Sequence, residues 1–237
     1  MSGDLEERYR RVTEEFLEAC EKYGRRIRPK LLAVSKFHPV QSMLELYHLG
    51  QGIFGENYVQ EALEKMQVFE EHGIESRKAF HIIGHIQSRK AGLICGKCAL
   101  IHSLDSKKLS DRLERHLAGN GLTQEVLIEV NLGDESQKTG IRSSDLEELA
   151  EYIEEKCSHL VLRGLMCLPP VFDAGERARP YFAKLREMRD ALEIRLHKEL
   201  PELSMGMSGD FPWAVCEGAT IVRIGTAIFG QRPRKPI

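Results

Sequence analysis

Short apolar runs that alternate with longer amphipathic stretches constrain the fold of this chain more than any other feature. Eight runs have the length and composition of buried strands, namely residues 31–36, 53–57, 80–84, 100–104, 126–132, 160–168, 203–207 and 221–225. Such continuous apolar runs are typical of parallel strands covered on both faces. Helical periodicity lies between them, most clearly over 177–200, where Tyr181, Leu185, Met188 and Leu192 share one stripe.

This alternation predicts an α/β fold, a single (β/α)8 TIM barrel. A further amphipathic stretch over 4–23 predicts an extra N-terminal helix before the first strand. A doubly wound open sheet is the alternative, but it commonly has a glycine-rich first turn, and the sequence has no G-x-G-x-x-G motif. Because no linker or change of composition interrupts the pattern, we expect one domain over residues 1–237.

Charge and hydropathy argue against two classes of partner. The formal net charge is −2, which provides no basic field for nucleic acid. No apolar stretch approaches the ~18 residues of a membrane span, and the first residues lack the basic and apolar regions of a secretion signal. We therefore expect a cytoplasmic protein with no nucleic-acid or membrane partner. As a separate expectation, the protein is a monomer or weak dimer.

The six cysteines include one pair at C-x-x-C spacing, Cys95 and Cys98. A structural zinc site needs four ligands, and the other cysteines form no second close pair. A redox dithiol would be expected in a thioredoxin-like context, which the pattern does not show. We therefore interpret the spacing as chance and expect no metal site.

The first apolar run ends in a lysine. Lys36 follows it directly, and Pro39 prevents the strand from continuing. In α/β barrels the carboxyl ends of the strands bind ligands. Desolvation there disfavours an ammonium group, and a neutral amine can form a Schiff base with an aldehyde. The alternative is a solvated surface lysine that merely ends a strand.

Two glycine-containing segments, 205–210 and 223–226, have the composition of an anion site. They follow the last two strand-like runs, and barrels often bind phosphate with these two loops. The alternative is that the glycines only form tight turns and that Ser208 caps a helix beginning near Asp210. A ligand with an aldehyde for Lys36 and a phosphate for these loops is pyridoxal phosphate.

Arg223 alternates with apolar residues in the last run, so we expect it to be half buried and to need an acceptor. The acceptor is either a strand-end carboxylate such as Glu56 or the pyridine nitrogen of a cofactor. Because arginine only donates, a pyridine nitrogen that faces it must be unprotonated, which weakens the ring as an electron sink. We interpret His81 and His85 as satisfied histidines of the barrel wall, with a catalytic base as the alternative.

Eight segments, in order along the chain, carry a resemblance to a known family. They are LLAVSK (31–36), FGENYVQEALEK (54–65), HIIGHIQSRK (81–90), IHSLDS (101–106), VLIEVNLGDESQKTGI (126–141), LRGLMCLPP (162–170), LSMGMSGDF (203–211) and VRIGTAIFG (222–230). The chain resembles the pyridoxal phosphate homeostasis proteins, whose fold is similar to the N-terminal barrel of alanine racemase.

The resemblance implies roles for six residues. Lys36 would carry pyridoxal 5'-phosphate as a Schiff base, and Arg223 would face the pyridine nitrogen. The other four would surround the cofactor, with Asn57 near it and Ser208, Gly225 and Thr226 at the phosphate.

The resemblance also implies a cofactor-binding protein of intracellular pyridoxal phosphate homeostasis, with no robust catalytic activity. It would take up and release the cofactor, and apo forms of pyridoxal-phosphate-dependent enzymes are candidate partners. The alternative is an amino-acid racemase of the single-barrel type. Since only residues 231–237 follow the last matching segment, we expect no second domain to supply a tyrosine base. A Schiff-base aldolase without cofactor is a third alternative, but such enzymes usually place their lysine later in the barrel.

Overall fold

The computed structural model describes residues 2–23, 28–133, 139–170 and 174–231. Within these residues, nine parallel strands belong to one sheet. They are β1 (Lys30–Val34), β2 (Phe54–Glu56), β3 (Phe80–Ile82), β4 (Leu100–Leu104), β5 (Gln124–Asn131), β6 (Ile141–Arg142), β7 (Leu160–Cys167), β8 (Glu202–Ser204) and β9 (Ile221–Ile224).

Eight of these strands close into a barrel. The order is β4-β3-β2-β1-β9-β8-β7-β5, and the pairing of β4 with β5 completes the ring. The predicted (β/α)8 barrel is therefore confirmed. The remaining strand, β6, has two residues and pairs only with β5 among the described strands. No apolar run in the sequence indicates β6. That the whole chain, residues 1–237, forms one domain stays a prediction.

Helices cover the outside of the barrel. They are α1 (Ser2–Tyr23), α2 (Val40–His48), α3 (Val59–Glu71), α4 (Ser76–Ala79), α5 (Ala91–Ile94), α6 (Lys107–Asn120), α7 (Leu146–Lys156), α8 (Arg179–Leu196), α9 (Phe211–Cys216) and α10 (Thr226–Phe229). Over the described part of the chain, none of them is long and apolar enough to cross a membrane. The predicted N-terminal helix is α1, which packs against α9 and α10. There the Arg8 Nε donates to the Ile228 carbonyl at 2.9 Å.

Two apolar clusters stabilise this arrangement. The larger lies between strands and helices and includes Phe54, Phe69 and Phe80, whose ring centroids are 5.0–6.4 Å apart. Full burial of one such ring contributes about 1.5–3 kcal/mol. The smaller cluster joins side chains of five strands inside the barrel, namely Leu32, Leu100, Leu127, Met166 and Ile221. Residues two positions further along a strand share its face, so Glu129 and Arg223 also point into the barrel, nearer its carboxyl end.

One irregularity interrupts the ladder between β5 and β7. Val126 pairs with Leu162 while Leu127 pairs with Gly164, so β7 has one extra residue, Arg163, at this point. Gly164 has φ 149°, and a Cβ there would lie 1.8 Å from the Glu202 carbonyl oxygen on β8. Only glycine fits this bulge, because any side chain would separate β7 from β8.

Candidate functional site

One cavity at the carboxyl ends of the strands brings together all six residues singled out in the sequence. It has a volume of about 330 Å³, within the roughly 300–1,000 Å³ usual for ligand sites. Its wall includes Lys36, Asn57, Ser208, Arg223, Gly225 and Thr226. Among the described residues that line it, none is acidic and two are basic. The cavity therefore suits a small anionic ligand.

Lys36 lies in a tight turn between β1 and α2. The His38 amide donates to the Ser35 carbonyl at 3.0 Å and closes the turn, and Pro39 begins the next helix as its N-cap. Lys36 is half-buried and lines the cavity. It is therefore not the solvated surface lysine of the alternative interpretation. A residue with a primary amine thus lies in the cavity wall just beyond the end of the strand.

Arg223 is more deeply buried than the sequence indicates, with 3% of its surface exposed. Its Nη1 donates to the Ser204 hydroxyl at 2.7 Å and its Nη2 to the Cys167 carbonyl at 2.8 Å. Burial lowers the pKa of the guanidinium. The alternative of a salt bridge with Glu56 is wrong. The Glu56 carboxylate lies on the outer face of the barrel, buried under the helices, and accepts from Lys65 at 2.7 Å.

A chain of buried hydrogen bonds extends from Arg223 through the barrel interior. His102 Nδ1 lies 2.8 Å from the Ser204 hydroxyl, and His102 Nε2 lies 2.9 Å from His81 Nδ1. Burial lowers the pKa of His81 to about 4 and that of His102 well below its usual value. Both imidazoles are therefore neutral at pH 7. One consistent arrangement has Arg223 donating to the Ser204 oxygen and the Ser204 hydroxyl donating to His102 Nδ1. The Nε2–H of His102 then donates to His81 Nδ1.

The sequence assigned no role to Ser204 or His102. The available signal is the two-residue periodicity of strands, which places His102 on the same face as Leu100 inside the barrel. The prediction for His81, a satisfied histidine of the wall, is confirmed. For His85 the prediction is confirmed only in part, because its Nδ1 has a partner in Asp105 Oδ2 at 2.8 Å but the side chain is exposed and not part of the wall.

The loop after β8 is shaped by Asp210 rather than by Ser208. Asp210 is the N-cap residue of α9, and its Oδ1 accepts from the Met207 amide at 2.6 Å. The alternative role of Ser208 as the helix cap is therefore wrong. Gly206 has φ 90°, and a Cβ there would lie 2.6 Å from the Ala214 Cβ, so this loop packs closely on α9. Ser208 does not cap the helix and instead lines the cavity.

Asn57 has a buried side-chain oxygen, Oδ1, without a hydrogen-bond partner. Such groups are rare in folded proteins, and the Asn57 residue is part of the cavity wall. The backbone of Gly84 packs directly against Asn57, since a Cβ at Gly84 would lie 2.5 Å from the Asn57 carbonyl oxygen. Asn57 also lines a neighbouring cavity of about 410 Å³, whose wall includes His85 and Lys90.

The C-x-x-C pair lies away from this site. Cys95 and Cys98 are both buried, and burial raises the pKa of the first thiol to about 11 and of the second to about 12. They are therefore protonated at neutral pH. No group of three or more potential metal ligands occurs among the residues with described positions.

Comparisons with known proteins agree on one family. The family of the alanine racemase N-terminal domain matches residues 13–233. A pyridoxal phosphate homeostasis protein of Aquifex aeolicus is 46% identical over 227 residues, which cover 95% of this chain and 97% of the relative. A protein of the same name from Haemophilus influenzae is 40% identical over 223 residues and 93% of each chain.

A solved structure is similar as well. PipY of Synechococcus elongatus, whose structure has pyridoxal phosphate bound, superposes with a TM-score of 0.77 and 35% sequence identity. The superposition covers 85% of this chain and 92% of PipY.

Proposed function

The chain belongs to the pyridoxal phosphate homeostasis proteins, within the family of the alanine racemase N-terminal domain, and on this premise we propose that it binds pyridoxal 5'-phosphate and holds it on Lys36. We further propose that it releases the cofactor to apo forms of the enzymes that need it. The observation that carries the proposal is the single cavity that contains Lys36, Arg223 and the two glycine-containing loops.

The residues of this cavity fit the cofactor. When bound, pyridoxal phosphate supplies an aldehyde that condenses with a primary amine, a phosphate dianion and a pyridine nitrogen. Lys36 offers the amine, and the hydroxyl groups of Ser208 and Thr226 offer donors to an anion. The absence of acidic groups among the described wall residues removes the repulsion that a phosphate would meet.

Arg223 orients a ring that enters the cavity. Its guanidinium is held by Ser204 and by the Cys167 carbonyl, and it can only donate. If the pyridine nitrogen of the cofactor lay opposite Arg223, it would stay unprotonated, and the ring would be a weak electron sink. This favours storage and exchange of the cofactor over chemistry on amino acids.

The racemase alternative is less well supported by the wall of the cavity. Racemisation needs acid–base groups on two sides of the substrate. The described lining residues include Lys36 but no histidine, tyrosine, cysteine or carboxylate. We therefore propose that any racemase activity is weak. The cytoplasmic location and the monomeric or weakly dimeric state stay predictions.

Borohydride trapping tests the proposal. The wild-type protein incubated with pyridoxal phosphate should develop an absorbance band of a lysine adduct, and peptide mass spectrometry after reduction should locate the adduct on Lys36. Lys36→Ala should lose the band and keep its circular dichroism. Lys90→Ala, in the neighbouring cavity, is the matched control and should behave as wild type. An adduct on any other lysine of the wild-type protein would refute the assignment.

A further inference from the structure

We infer that an ion network outside the barrel, formed by the buried Glu56 and Lys65 and the partly exposed Glu61, positions Lys36 for reaction with an aldehyde. The three are positioning residues, because they act through the backbone on either side of Lys36. The inference rests on the proposed function, since it concerns the lysine assigned there.

The network is held together by short hydrogen bonds. The Lys65 ammonium donates to Glu56 Oε1 at 2.7 Å, to Glu61 Oε1 at 2.8 Å and to the Ser35 carbonyl at 2.8 Å. The Ser35 hydroxyl donates to Glu56 Oε1 at 2.6 Å. Glu61 and Lys65 lie one turn apart on α3, and Glu56 ends β2. The network therefore joins α3 to the carboxyl end of β2 and to Ser35.

The network binds the backbone on both sides of Lys36. On one side Lys65 contacts the carbonyl of Ser35, and on the other the Phe37 amide donates to Glu61 Oε1 at 2.6 Å. One carboxylate, Glu61, thus connects the ammonium of Lys65 to the peptide that follows Lys36. Removing it would release one end of the turn that presents the amine.

The turn needs such support because its backbone is strained. Phe37 has φ 66°, in the left-handed region that a bulky residue rarely adopts. Among the described non-glycine residues, His197 is the other with positive φ, and it is the C-cap of α8, where this conformation is common. Phe37 follows a strand instead. A residue in this region persists only when surrounding contacts hold it.

The network also gives Lys65 a role that differs from the one proposed for Lys36. Among the described lysines, Lys65 is the buried one, and its side-chain nitrogen already donates to three acceptors outside the barrel. An ammonium group has no lone pair with which to attack an aldehyde. Burial of charges is costly, and burial raises the pKa of Glu56 while Lys65 opposes that rise. A simple apolar contact between α3 and β2 would avoid this cost, so the network points to a positioning role.

Glu61→Ala tests the inference, with Glu61→Gln as the conservative variant. Glu61→Ala removes the acceptor of the Phe37 amide, so the rate of adduct formation on Lys36 should fall roughly tenfold or more. Glu61→Gln keeps a side-chain oxygen and should recover most of that rate. Glu64→Ala, an exposed carboxylate on the same helix, is the matched control and should react as wild type.

Two readouts separate positioning from general destabilisation. In the cofactor-free protein, the Phe37 amide should exchange its hydrogen faster in Glu61→Ala than in wild type. Adding Phe37→Gly to Glu61→Ala should restore part of the rate, because glycine adopts positive φ without strain. Loss of stability alone would not be rescued in this way. If Glu61→Ala does not fold, Glu61→Asp withdraws the same acceptor and takes its place.

The outcomes distinguish this inference from the proposed function. A wild-type protein without an adduct on Lys36 would refute the proposed function and the inference together. A wild-type protein that reacts, with a Glu61→Ala variant that reacts equally fast and protects the Phe37 amide equally well, would overturn the inference alone.

Discussion

Arg223 is held inside the barrel by acceptors of two kinds, a serine hydroxyl and a backbone carbonyl. The carbonyl belongs to β7 and cannot rotate, whereas the hydroxyl of Ser204 is also engaged by His102. The direction of the guanidinium therefore depends on a neutral imidazole behind it. At the scale of single residues, the histidines therefore support a group that lines the cavity.

Ser204→Ala should reveal this support. The substitution leaves Arg223 Nη1 and His102 Nδ1 without a partner in a buried site, which should cost about 2–3 kcal/mol of the free energy of unfolding. The absorbance of bound cofactor should also shift, because Arg223 is free to tilt. The control is Ser110→Ala, a buried serine whose hydroxyl donates to the carbonyl of Ser106 at the start of the same helix, and it should cost less than about 1 kcal/mol. Urea unfolding and absorbance spectra check both variants, and equal costs for them would contradict this account.

The buried histidines should make the fold sensitive to acid. His81 has a folded pKa of about 4, against 6.5 when exposed to solvent. Between these values the unfolded chain binds a proton that the folded chain does not, so stability falls as the pH is lowered. From pH 7 to pH 5, His81 alone should account for about 2 kcal/mol.

Urea unfolding at the two pH values measures this effect. His81→Asn should reduce the acid-dependent loss of stability, and His48→Asn, at an exposed histidine, should leave it as in wild type. A loss of the same size in His81→Asn and wild type would show that His81 does not carry the pH dependence.

The residues at the site were more predictable than the residues that support it. Lys36, Asn57 and Ser208 end or follow apolar runs, and Arg223 lies within the last one. The carboxyl ends of parallel strands converge on one face of a barrel whatever the details of packing. Lys65 could not be predicted in the same way. Its burial depends on the contact of α3 with the end of β2, a long-range feature that periodicity along α3 does not specify.

At the scale of elements, the barrel depends on close approach between strands. The bulge of β7 lets Gly164 lie against β8, where a Cβ would meet a backbone carbonyl. Strand positions were predicted to within two or three residues, because apolar runs report burial on both faces. The strand β6 and the bulge were not predicted, since neither changes the hydrophobic pattern.

Gly164→Ala should therefore be among the most damaging substitutions of a small residue in this chain. Its Cβ would lie 1.8 Å from the Glu202 oxygen and its φ is unfavourable for alanine, so we expect a loss of about 3 kcal/mol or more. The control, Gly52→Ala, has open space around the new methyl group and should change stability by less than about 0.5 kcal/mol. Thermal unfolding of both variants tests the expectation, which a mild effect at Gly164 would disprove.

At the scale of the whole molecule, the proposed function gives the barrel the binding of the cofactor and leaves the catalysis to the enzymes that receive it. The barrel provides a cavity, an amine and an arginine, and the described wall provides no second acid–base group. Under the proposed function, such a site would hold and release a cofactor rather than perform chemistry on a substrate.

Assays with amino acids should accordingly give little product. Turnover to the D-isomer or to the oxo acid should lie far below the enzyme median of about 10 s⁻¹ for a panel of L-amino acids. The loaded protein should instead restore activity to an apo form of a pyridoxal-phosphate-dependent enzyme. Turnover near that median with any substrate, abolished by Lys36→Ala, would favour the racemase alternative.

The pairing of β1 with β9 has a consequence for folding during synthesis of the protein. Lys36 follows the first strand and Arg223 lies on the last, so almost the whole chain must be synthesised before the two meet. At about 5–20 residues per second, roughly 10 to 40 seconds separate their emergence from the ribosome. A nascent or truncated chain can offer the amine but not the arginine beside it. Tight retention of the cofactor would thus report that the ring has closed, and the ligand would act as a check on complete synthesis.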